Sequence, residues 1–117
     1  MHYNRNERGG FVVEKYAWKA KIIAGKKDEY RKRHDYIWPE MVEVLKQAGI
    51  CNYTIWENNN ELFGYYECQM GIDFAAKVQN ESDVVARWNE YMKDVLIMEM
   101  DPLTGAQPKL EIVFEFE

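Results

Sequence analysis

Along residues 14–117 the hydrophobic repeat switches from two residues to a helical period and back, twice, and this order constrains the fold more than any other feature. EKYAWKAKIIA (14–24) puts Tyr16, Trp18, Ala20 and Ile22 on alternate positions, a strand pattern that Gly25 ends. From Lys26 to Ala48 the period is helical but interrupted, because Pro39 has no amide proton to donate and disfavours helix at Trp38 before it. The sequence therefore predicts one helix over about 26–35 and a second opening at Pro39. Glu40 suits the positive end of that second helix, and Gly49 stands where a helix C-terminus favours glycine. ICNYTIWE (50–57) and ELFGYYECQ (61–69), joined by three asparagines, read as a hairpin. Strict alternation puts Cys51, Tyr53 and Ile55 on one face of it, and Asn52, Thr54 and Trp56 on the other. Two helical pieces follow, over about 72–79 and 82–98. Ser82 is placed to cap the second, whose apolar stripe is Val84, Val85, Trp88, Met92 and Val95. DPLTGAQPK (101–109) reads as a loop, and LEIVFEFE (110–117) alternates apolar and acidic residues as a last half-buried strand.

The resulting order, β-α-β-β-α-β, is the ferredoxin-like arrangement of the α+β class: a four-stranded antiparallel sheet with helices on one face. The uncovered face would be rich in Trp, Tyr and Phe, too apolar to be left to water, so two sheets are expected to pack together as a homodimer. A chain of 117 residues supports one core, which gives a single domain over 14–117 behind a flexible segment at 1–13, rich in Asn, Arg and Gly.

Charge and composition remove several functions. A net charge of −5 argues against a nucleic-acid partner, since phosphate binding needs clustered Lys and Arg. MHYNRNERGG lacks the apolar core of a secretory signal, and no run approaches the 18 apolar residues of a membrane span, so the expected location is cytoplasmic. Cys51 and Cys68 lie in strand-like segments and are expected as reduced thiols. There is no CxxC, HExxH, glycine-rich phosphate loop or Ser/His/Asp set, and neither a metal nor a cofactor is expected. Proton transfer on a neutral polar ligand is among the few enzyme chemistries left.

The most suggestive stretch is EYRKRHDYIWPE, residues 29–40. His34 titrates near neutrality and can give and take protons in one cycle. Tyr30, one helical turn earlier, offers a hydrogen-bonding hydroxyl and a ring. Trp38 follows at the same spacing, although the proline beside it can break the alignment. On the residues alone, a single His on an amphipathic helix is more often structural or merely exposed. Trp88 equally suits core packing and Tyr53 ordinary sheet packing, while Arg31, Lys32 and Arg33 suit a solvated helix face.

Taken together, the chain resembles the L-rhamnose mutarotase family. The likeness is carried by Tyr30 with Arg33-His34, Ile37-Trp38-Pro39-Glu40, Asn52-Tyr53, Arg87-Trp88, Tyr91-Met92 and Val113-Phe114. This resemblance implies a dimeric α/β barrel and cofactor-free interconversion of the α and β anomers of a monosaccharide. It also implies that His34 is the proton donor, that Tyr30 and Tyr53 bind sugar, and that Trp88 is the first of two adjacent tryptophans holding it. Asn89 stands in the second tryptophan's place, exchanging a stacking surface for an amide. Two other readings stay open: a sugar-binding module without turnover, and a haem- or aromatic-binding oxygenase of the same barrel type with His34 on iron.

Overall fold

A computed structural model describes residues 4–5, 11–98 and 109–116. Two short strands, β1 (Asn4–Arg5) and β2 (Phe11–Val12), pair antiparallel ahead of the main sheet. Residues 1–3 and 6–10 of the 1–13 segment, and 101–108 of the loop expected at 101–109, lie outside the described residues. In the main sheet β3 (Glu14–Ile22) pairs antiparallel with β5 (Glu61–Cys68), placing Trp18 opposite Gly64 and Ala20 opposite Leu62. β4 (Ile50–Asn58) adds to the far side of β5, and the two-residue β6 (Leu96–Ile97) pairs with the other edge of β3. The sheet order β4-β5-β3-β6 is that of the ferredoxin-like arrangement.

Each helical leg is broken in two. α1 (Lys27–Asp35) ends before Trp38, whose extended backbone (ψ 135°) obeys the proline after it, and α2 (Pro39–Gln47) begins at that proline. Gly49, at φ 75°, reverses the chain after α2 into β4. α3 (Ile72–Asn80) receives its N-terminal cap from the sheet, where the buried Glu14 carboxylate accepts from the Ile72 N–H at 2.7 Å. α4 (Asp83–Met92) has its own cap, the Ser82 hydroxyl accepting from the Val85 N–H at 3.3 Å. All four described helices lie on one face of the sheet. Trp18, Ala20, Ile22, Leu62, Tyr66 and Cys68 meet Met41, Ala48, Ala75, Trp88, Met92 and Val95 there in one core. No described helix is long and apolar enough to cross a membrane.

Three local expectations are corrected. First, β4 does not alternate throughout: Asn52 and Tyr53 together oppose the single residue Tyr66, and Asn52 takes φ 50°. This bulge shifts the phase, so Ile50, Tyr53 and Ile55 share the helix-covered face and Cys51 turns to the other. Second, the last helix stops at Met92 rather than running to 98. The Arg33 guanidinium donates to the Tyr91 carbonyl at 2.7 Å, the Val95 N–H turns back to the Met92 carbonyl, and Leu96–Ile97 become β6. Third, residues 110–116 form no strand. Lys109 bridges Trp18 and the Leu110 N–H reaches the Ala17 carbonyl, after which Val113, Phe114 and Phe116 remain 95, 78 and 88% exposed. Alternation alone could not tell a paired strand from a segment left open.

Candidate active site

Helix α1 places Tyr30 and His34 one turn apart, and their rings meet at 4.5 Å. Trp88 arrives from α4 with its ring edge-on to the imidazole at 5.5 Å. Trp38 packs edge-on against Trp88 at 5.1 Å and beside Tyr91 at 5.3 Å. Tyr30, His34, Trp38 and Trp88 are therefore brought together, and the proline break keeps Trp38 in the group. Trp88 also belongs to the buried core, so its packing role and its place beside His34 coincide. Asn89, its neighbour on α4, lies on the exposed side of the helix.

The imidazole has a fixed orientation. His34 Nδ1 lies 3.1 Å from the Tyr30 carbonyl oxygen, which can only accept, so Nδ1 carries a proton and Nε2 is left for other partners. Burial lowers the His34 pKa below its ordinary value, against a smaller opposing pull from the Tyr30 carbonyl and Asp35. The resting ring at neutral pH is thus an uncharged imidazole with a basic Nε2.

Tyr53 enters from β4 because the bulge turns it onto this face. Its ring packs at a tilt against Tyr66 at 4.9 Å, and its hydroxyl accepts from the Trp18 indole N–H at 3.2 Å. Burial raises its pKa and that of Tyr30, so both phenols stay protonated across the neutral range.

Arg33 does more than decorate a solvated face. Its side chain is 11% exposed and binds Glu29 at 2.8 Å, both oxygens of Asp94 at 2.7 and 3.2 Å, and the face of Tyr91 at 4.4 Å. It locks α1, which carries His34, to the end of α4, which carries Trp88. Arg87 makes a more exposed tie, bidentate to Glu40 and 5.7 Å over Trp38. The sequence reading missed Arg33 and Tyr91 as parts of this site; Tyr91, three residues after Trp88, could have been found from helical spacing. Among the described residues no three His, Cys, Asp or Glu side chains gather as a metal site would require.

A sequence model of L-rhamnose mutarotase matches residues 15–116, which include every residue of this cluster. The chain belongs to the L-rhamnose mutarotase family. Within that family it is 36% identical over 107 residues to the L-rhamnose mutarotase of Burkholderia ambifaria, covering 90% of this chain and all of the relative. The protein of that name from a Jannaschia species is 41% identical over 98 residues, covering 82% and 92% of the two chains. The crystal structure of an L-rhamnose mutarotase from Formosa agariphila superposes with a TM-score of 0.71 at 30% identity, over 89% of this chain and 99% of that one. Membership of the mutarotase family favours an isomerase over both the non-catalytic module and the oxygenase.

Proposed function

We propose that this protein interconverts the α and β anomers of L-rhamnose or a closely related deoxy sugar, with His34 carrying the proton. The observation that supports this most is the imidazole itself, held through Nδ1 by the Tyr30 carbonyl and flanked by the rings of Tyr30 and Trp88. The neutral Nε2 takes the proton of the anomeric hydroxyl, directly or by way of a second group. His34, now charged, is the acid that protonates the ring oxygen. The bond from the anomeric carbon to that oxygen breaks, its electron pair goes to the oxygen, and the open-chain aldehyde forms. Rotation presents the other carbonyl face, and closure reverses both transfers. Such acid–base help is worth on the order of 10²–10⁴-fold, without a cofactor.

Tyr30 and Tyr53 orient the sugar hydroxyls, Trp88 presses on a C–H face of the ring, and Trp38 closes the aromatic wall. Asn89 supplies an amide at the margin and adjusts which sugar is preferred. The protein works as a homodimer in the cytoplasm. Assembly is supported by Trp56, Phe63, Val113, Phe114 and Phe116, which leave large apolar areas open on and beside the outer sheet face. The location is supported by two free thiols, and the charge of −5 speaks against nucleic acid.

The test is saturation transfer between the anomeric proton signals of L-rhamnose, with L-fucose, L-lyxose and D-glucose in parallel. Transfer with the wild type that disappears in His34→Ala is expected. Absence of transfer for every sugar, from a folded protein, overturns the isomerase reading in favour of a binding module.

A further inference from the structure

In the row of the sheet beside the candidate site, Trp18 on β3 faces Gly64 on β5. A Cβ at Gly64 would lie 2.0 Å from Trp18 Cε2 and 2.3 Å from Nε1, so the indole occupies the space a side chain would need. Gly64 carries no positive φ in this strand. Its absent side chain serves close approach, which lets the indole extend across β5 and reach the Tyr53 hydroxyl on β4 at 3.2 Å.

An indole N–H donates and never accepts. We infer that Trp18, through the gap at Gly64, is a positioning residue that fixes the polarity of the Tyr53 hydroxyl. The phenol oxygen must accept from the indole, so its own proton is turned away from Trp18 and offered to the sugar as a donor. Tyr53 then recognises an acceptor, a ring or hydroxyl oxygen, in one defined direction. This inference rests on the sugar-binding role proposed for Tyr53.

The experiment is a double-mutant cycle of wild type, W18F, Y53F and W18F/Y53F, with kcat and KM for L-rhamnose anomer exchange and the thermal midpoint of each. W18F keeps a ring but removes the donor, and is expected to raise KM about fivefold with kcat little changed. Y53F is expected to cost about twentyfold in kcat/KM, and W18F to cost nothing more in that background. Y53F also strands the buried indole N–H, so the double variant is expected to melt above Y53F alone. Gly64→Ala displaces the indole and is expected to mimic W18F, which carries the test should W18F fail to fold. Equal losses from W18F or Gly64→Ala in both backgrounds overturn the inference and leave Trp18 a packing residue. Wild-type protein that exchanges no sugar overturns the parent reading as well, and that outcome is visible before any variant is made.

Discussion

On β3, Trp18, Ala20 and Ile22 lie under the helices at 6, 2 and 4% exposure. Lys15, Ala17, Lys19 and Lys21 alternate with them on the outer side. On the outer side of the neighbouring strands, Trp56 and Phe63 keep 69 and 40% of their surface in solvent. The inner face completes itself within one chain: rings pack on rings, an indole donates to a phenol, and an imidazole binds a carbonyl. A cleft lined by Lys15, Ala17, Tyr65, Ile112 and Phe114 marks the outer face, where the C-terminal residues approach but do not pair as a strand. The proposed chemistry thus falls on the face that one chain finishes, and the proposed assembly on the face it leaves unfinished.

The contrast breaks most sharply at His34. His34→Ala should lower the anomer exchange rate by about 10²-fold or more, measured by saturation transfer, while circular dichroism stays unchanged. Next in size is a pair of adjacent residues on opposite faces. Leu62→Ala, at a position 1% exposed, should cost about 2–4 kcal/mol in urea unfolding. Phe63→Ala should cost under about 1 kcal/mol and act mainly on the concentration dependence of melting. Comparable losses from the two would remove the distinction between the faces.

A third effect is pH. Burial disfavours the His34 charge and lowers its pKa from the ordinary 6.5, and in the proposed cycle the neutral form acts first. The exchange rate should thus be level above that pKa and fall about tenfold per unit below it. A rate that instead falls as pH rises through the same range would mean that the imidazolium is the resting form. The stability sign agrees. The unfolded chain holds the His34 proton more tightly, so the contribution of the buried neutral ring is complete above 6.5 and declines as pH drops below it. On the outer face, Phe114→Asp should weaken self-association by at least about tenfold in analytical ultracentrifugation, with the inner-face chemistry intact per folded chain. Smallest is Arg33→Ala, expected to lower the melting point by about 4 °C, roughly 1 kcal/mol, by loosening α1 from α4.

What the sequence disclosed was whatever depended on neighbours along the chain. Pro39 sets the α1–α2 break by its own chemistry, Ser82 caps the helix after it, and Tyr30 meets His34 because both ride one turn of α1. The misread features depend on distant residues. The end of α4 is decided by Arg33, 58 positions away from the Tyr91 carbonyl it binds. The face of Tyr53 depends on how β4 registers against β5, and its hydroxyl partner is 35 positions away. At the C-terminus the alternation of 110–117 records a segment suited to pairing, and within one chain the pairing stops at Lys109.

The bulge at Asn52 and Tyr53 also governs how this family member can change length. Strand residues face in or out by parity, and the extra residue makes Ile50 and Tyr53 agree although they differ in it. Deleting Asn52 would close the bulge into regular alternation and keep both the hydrophobic anchor and the phenol on the inner side, whereas deleting Cys51 as well would make them neighbours that face opposite ways. The start of β4 can therefore give up its one surplus residue without turning a side chain over, and a second single-codon loss there would act as a switch of face for a side chain whose own codon is untouched.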